Sequence, residues 1–412
     1  MTIPAVAADL QDERLRQSRG VVGAVRDVID RVRGGDLGLI PVIAGLIVIS
    51  TVLQIRNSIF LSSQNLVNLL MEAVPVGVIS LGIVCVLLVG EIDLSVGSVS
   101  GLSAAALAVL YVTHGWSVWL AMAAAIALGS VIGWVYAQIY NRIGVPSFVI
   151  SLAGLLAFMG LQLKVLGKSG SINVPFDSSL VRFAQLQFVP AWLSYVLVVG
   201  GAAVLFVSGA ARDRARRSAG LSSRSMQALA ARSVAMAIGL GFAVWYLNRA
   251  RGIGWMFAFF VGLVLVLNYA LTRTRWGRAM YAVGGNAEAA RRAGINVRAT
   301  YTSAFVLCST FAALGGILAA ARLASSNQSS GGGDTNLNAI AAAVIGGTSL
   351  FGGRGSAASA LFGIIVIQAI TNGLTLIRMD SAYRFIVTGI VLLLAVAVDS
   401  IARKSRSSHG RA

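Results

Sequence analysis

Apolar runs of eighteen or more residues recur along the whole 412-residue chain, and they restrict its fold more than any other feature. Crossing a hydrocarbon core about 30 Å thick takes about 20 helical residues. Lipid offers no partner to an unpaired backbone amide, so such runs must coil into helices. The reading is an all-α, polytopic helical membrane protein with about 10–12 transmembrane segments, one or two of them broken or re-entrant. Twelve runs can be drawn, at 37–55, 66–90, 94–113, 117–140, 146–166, 188–208, 229–249, 254–271, 299–321, 335–352, 355–377 and 382–401. The run at 335–352, rich in Gly, Ala, Ser and Thr, is the weak one and is expected to be re-entrant or broken. With 57% hydrophobic and 12% charged residues, the chain leaves no soluble domain of useful size.

A net charge of +18 raises the question of a nucleic-acid partner. The placement of the charge answers it, because the basic residues cluster in every second loop between successive apolar runs. Starting inside, 24 of the 33 Lys and Arg residues fall on one side and 9 on the other. The positive-inside rule then puts both termini in the cytoplasm. Residues 1–36 open without an apolar core and carry Asp9, Asp12, Glu13, Arg14, Arg16 and Arg19, which reads as a cytoplasmic tail rather than a cleaved leader. The expected organisation is that tail, a transmembrane domain at 37–401, and a second cytoplasmic tail at 402–412. Cys85 and Cys308 both sit in apolar runs, so neither a disulfide framework nor a metal centre is expected. The usual hydrolase, metalloprotease and nucleotide-binding motifs are missing from the sequence, so a membrane transporter is favoured over an enzyme.

Three carboxylates at membrane depth need an explanation, because a charge at the bilayer centre costs about 2.5–3.5 kcal/mol. Glu72 lies in NLLMEAVPVGV, where Pro75 removes a backbone donor and is expected to kink or break the helix. It could face a cavity on the translocation path or serve local packing. Glu91 and Asp93 lie in GEIDLSVGS, between two apolar runs. Three readings compete there: ion or proton coupling, lining of a substrate path, and structure. In the structural reading, which leads, Asp93 caps a helix starting at Leu94 or Ser95, and Glu91 pairs with a basic residue of a cytoplasmic loop.

Among the loops, 272–298 stands out. Asn286 is a good helix opener, AEAARR favours a helix, and Gly294 suits the residue just past its end. A short capped helix between two spans offers a surface for another protein to grip. Gly129 with Gly133, and Gly315, Gly316, Ala319 and Ala320, have the spacing of close helix packing and are given no chemistry.

Several separated stretches together resemble one family: GEIDLSVGS (90–98), VPSFVISLAGLLAFMG (145–160), GRAMYAVGGNAEAARRAGI (277–295), AIAAAVIGGTSLFGGRGS (339–356), NGLTLI (372–377) and LLLAVAVDS (392–400). They are similar to the membrane permease subunits of bacterial ABC sugar importers of the ribose/xylose/galactose group, over about 60–400. The extra apolar pair and basic loop at about 188–271 look most like the xylose-type permeases. The resemblance implies transport of a monosaccharide, D-xylose or a related pentose, driven by a separate tandem-domain ATPase. It also implies an extracytoplasmic sugar-binding protein, pairing of two permease copies in the cytoplasmic (inner) membrane, and no cofactor in this chain, ATP-Mg residing on the ATPase. The residues matching the ATPase-docking motif are Gly284, Gly285, Asn286, Glu288, Ala289, Ala290 and Gly294. Glu91, Asp93 and Ser95 mark the helix break. The family often carries acidic residues before AIAA, where this chain has Asn336 and Asn338; with Asn327 and Gln328 they form a polar cluster expected on the outer side. The alternatives are an ion-coupled sugar carrier acting alone, or a related permease for branched-chain amino acids or nucleosides.

Overall fold

The computed structural model describes residues 40–380 except 224, and 382, 383, 385–390, 393 and 397 of the last expected segment. Both expected tails lie outside the described residues, as does much of the segment at 382–401. Among the described residues, nine helices are long and apolar enough to cross a membrane.

Among the described residues, the main unit comprises 40–188 and those from 254 onward. It opens with α1 (Ile40–Arg56), α2 (Ser63–Leu88) and α3 (Val96–Ala108), the last prolonged by a wider turn to Thr113. Next come α4 (Val118–Gln138), α5 (Ser147–Leu166), a short strand β1 (Ser171–Asn173) and α6 (Ser179–Gln185). A second unit, 189–253, is a helical hairpin of α7 (Ala191–Ser218) and α8 (Met226–Asn248). The main unit resumes with α9 (Trp255–Arg273), α10 (Arg275–Gly285), α11 (Ala287–Arg292), α12 (Val297–Leu323), β2 (Ser325–Asn327), α13 (Thr335–Ile345) and α14 (Ala357–Leu376).

Serine side chains set several of the starts. Ser62, Ser117, Ser178 and Ser225 each accept the amide three residues on, satisfying one of the orphan donors of a first turn. Pro75 lies inside α2, which continues through it from Ser63 to Leu88; the expected break is not there. The weak run at 335–352 does break. Its helix lasts 11 residues, about 16 Å and half a membrane, and gives way to turns at Gly346 and Gly347.

Helix α12 is the axis of the main unit, and glycines let its neighbours approach. A methyl group on Gly82 of α2 would come within 2.6 Å of the Cys308 carbonyl, and one on Gly129 of α4 within 2.6 Å of the Ser309 carbonyl. Gly316 abuts the Ser100 backbone of α3 in the same way. Close backbone approach is the main source of helix affinity where both protein and solvent are apolar. At one end of α12 lie α10 and α11. At the other, β2 pairs antiparallel with β1, Ser171 opposite Asn327. In the hairpin unit, only 11% of the apolar window of α7 and 17% of that of α8 is buried, against 83% for α2. Its surface is that of lipid-facing helices.

Candidate functional site

Between Leu88 and Val96 the chain leaves the helical path, and side chains of other helices bond two of its backbone groups. Ser147 at the head of α5 accepts the Ile92 amide at 3.3 Å, and Asn336 of α13 donates to the Leu94 carbonyl at 2.6 Å. These partners permit a non-helical segment inside a helical bundle. Asp93 is fully buried, and its Oδ1 accepts both the Ser95 amide at 2.8 Å and the Ser95 hydroxyl at 2.7 Å. Tyr136 in turn donates to Ser95 Oγ at 2.9 Å. Asp93 Oδ2 has no hydrogen-bond partner, and the Cys308 side chain faces the carboxyl.

Two expectations are corrected here. Asp93 does not cap α3. Ser95 holds the N-cap position, and Asp93 instead closes a side-chain turn onto it, because the loop's backbone groups find partners on α5 and α13 before a helix is needed. Glu91 takes no basic partner among the described residues; the Tyr140 phenol donates to it at 2.6 Å. That phenol is itself packed on Tyr301 and Phe305, with ring centroids 4.8 and 5.6 Å away. Asp93 sits against Cys308, eleven residues or about 16 Å along α12 from its start.

Beneath this segment, three of the quoted motifs meet through bare backbone. Gly353 donates its amide to the Leu88 carbonyl at 2.9 Å. A side chain on Gly284 would strike that same carbonyl, and one on Gly352 would lie 2.6 Å from the Gly284 carbonyl and 3.0 Å from Gly90. Gly90 and Gly352 both adopt left-handed backbone, φ +82° and +83°, which glycine reaches without strain. The end of α2, the end of α10 and the loop before α14 are therefore locked together with no side chain able to yield.

From this junction α11 projects. The Asn286 side chain accepts the Ala289 amide at 2.9 Å, and Gly294 turns the chain away at φ +82°. Glu288 pairs with Arg291 at 2.8 Å and Arg292 at 3.3 Å on an exposed surface, while Ala290 is buried beneath. Ala289 lies on the first turn, and a side chain at Gly285 would meet nothing within 4 Å.

The polar residues expected to cluster on one outer face are divided. Gln328 is exposed and its backbone N–H donates to the Gly170 carbonyl, and Asn327 lies in β2. Asn336 and Asn338 instead begin α13 inside the unit, with Asn338 only 8% exposed and bonded to Asp334. Glu72 stands apart from all of them, exposed on α2, and accepts from Gln368 of α14 at 3.0 Å.

Sequence reasoning missed Tyr136 and Tyr140, Gln162, Gly352 and Gln368. Gln162, 2% exposed, donates to the carbonyls of Asn327 and Ser330 at 2.9 Å each. The two tyrosines carried a usable signal, being four residues apart on an apolar helix like the Glu91–Ser95 pair they bond.

Residues 65–396 match the family described as the branched-chain amino acid transport system / permease component, and the chain belongs to it. It is 37% identical over 354 residues to the Xylose transport system permease protein XylH of Escherichia coli (strain K12), covering 84% of this chain and 87% of that one. XylH of Haemophilus influenzae is 33% identical, covering 84% and 91%. The Ribose import permease protein RbsC of Escherichia coli (strain K12) is 30% identical over 355 residues, covering 86% and 91%. No solved structure matches this chain.

Proposed function

We propose that this chain is the permease subunit of a binding-protein-dependent ABC importer. It carries a monosaccharide, D-xylose or a related pentose, across the cytoplasmic membrane with both termini inside. Two copies pair in the membrane, a tandem-domain ATPase engages α11, and an extracytoplasmic sugar-binding protein delivers sugar to the opposite end. No cofactor is assigned to this chain; ATP-Mg belongs to the ATPase. The chain moves sugar without changing it chemically.

The observation that carries this reading is the anchorage of α11. A gripped helix transmits force only if its root is stiff. Here Gly284, in the last turn of α10, is seated against Leu88 and Gly353. Pulling α11 therefore moves the end of α2, the loop before α14, and the non-helical segment from Gly90 that leads to α3. Closely packed interfaces switch between discrete arrangements rather than deforming smoothly, so closure of the ATPase would reset the path at once. The 37% identity with a xylose permease supports the sugar class.

The test is reconstitution. Proteoliposomes holding this chain and the co-encoded ATPase, supplied with the binding protein, should concentrate D-xylose only when ATP is inside. Uptake by this chain alone on an ion gradient would overturn the proposal and establish a stand-alone carrier.

A further inference from the structure

Helices α2 and α14 run antiparallel, and each carries one partly exposed polar stripe. On α2 the stripe is Gln64, Asn68 and Glu72, spaced four apart. On α14 it is Gln368, Thr371 and Thr375, with Asn372 beside it. Beyond Val76 on α2, every residue to Val89 is buried, and on α14 the same stripe towards the helix start is Leu361 and Ile365. The polar halves coincide: the first ten residues of α2 face the last nine of α14. Cross-bonds tie them, with Gln368 Nε2 donating to Glu72 Oε2 at 3.0 Å, and Asn65 and Asn372 exchanging amide bonds at 2.8 and 3.2 Å. The opposite side of α14, at Val366, Ile370 and Leu374, is covered by α1 residues Val42, Leu46 and Ile49.

Glu72 lies nine residues, about 13 Å, below the start of α2, well within membrane depth. A carboxylate and several amides are unfavourable against lipid at that depth and characteristically face a water-filled path. The stripe contains no Lys or Arg, so it cannot neutralise the carboxylate of a zwitterion. Its carboxylate and amide oxygens accept, and its amide and hydroxyl groups donate, which matches the adjacent hydroxyls of a neutral sugar.

We infer that this stripe, centred on Glu72 and Gln368, is the wall of the path along which a neutral monosaccharide enters the membrane. The inference rests on the sugar-permease reading and adds the side chains that meet the sugar. The stripe on a second copy of the chain would form the facing wall.

The reconstituted transporter with ATPase and binding protein provides the test. Glu72→Gln and Gln368→Leu should each lower ATP-driven D-xylose uptake at least tenfold, whereas Val204→Ala on α7 should leave it within twofold. Because a variant can fail by misassembly, single cysteines give a second readout in transporters that still take up xylose. Asn68→Cys and Thr371→Cys should react with a membrane-impermeant thiol reagent added from the binding-protein side, and excess D-xylose with binding protein should slow that reaction. Val204→Cys should not react. Cysteines at 68 and 371 as inert as the one at 204, with ATP-driven uptake intact, would overturn the inference alone. Loss of ATP-driven uptake in the unmodified complex would instead overturn the reading beneath it. Uptake of leucine in place of xylose would contradict the neutral-sugar assignment.

Discussion

Asn336 Nδ2 donates to the carbonyl oxygen of Leu94 at 2.6 Å, joining the start of α13 to the non-helical stretch before α3 across 242 positions of sequence. This bond gives the non-helical backbone a partner inside the bundle. Asn336→Leu should leave the carbonyl unpaired, at a cost of about 1–3 kcal/mol. Asn336→Asp should be at least as harmful, because it sets an oxygen against an oxygen. Thermal melting of the detergent-purified chain reads both; a melting temperature for the Asp variant matching the parent would show that the bond is dispensable.

At Asp93 the acceptor matters more than the formal charge. An amide oxygen at the same place can still receive the Ser95 amide and hydroxyl. Asp93→Asn should therefore keep most of the transport activity, whereas Asp93→Leu should lose it along with the fold of the 90–95 segment. Equal losses in both variants would point to the charge itself, and hence to ion coupling.

Glu91 and Tyr140 form a pair that a double-mutant cycle can isolate. Tyr140→Phe and Glu91→Ala should each destabilise the chain, and the double variant should fall short of their sum by about 1 kcal/mol. Strict additivity would mean that the 2.6 Å contact contributes nothing.

Adjacent glycines in the GGN stretch should behave oppositely. Gly284→Ala forces a methyl group onto the Leu88 carbonyl and should reduce the yield of folded protein. Gly285→Trp meets open space within the chain, so it should insert normally yet lose sugar-stimulated ATP hydrolysis when the ATPase is added. Co-purification and ATPase assays separate the two outcomes, and full coupling in Gly285→Trp would remove α11 from the docking surface.

Much of the architecture was legible because membrane spans are written in hydropathy alone. The α11 cap at Asn286 and the turn at Gly294 were legible too, since local capping needs only neighbouring residues. Asp93 was misread as a cap because the partners of Ile92 and Leu94, Ser147 and Asn336, lie far away in sequence and relieve the chain of any need to start a helix there. Pro75 was expected to disturb α2, and packing carries the helix through it. Glu72 was singled out by its charge, while Gln368 was overlooked because a neutral amide in an apolar run costs too little to draw notice.

In the proposed importer, α11 is the handle by which an ATPase acts on a sugar path. The most direct test is D-xylose uptake into proteoliposomes carrying this chain, the co-encoded ATPase and the binding protein, with ATP supplied inside. Uptake that needs all three proteins and ATP, and is lost in Gly285→Trp while the chain still inserts, is the predicted result. Xylose accumulation by this chain alone, unaffected by ATP or by that substitution, would contradict it.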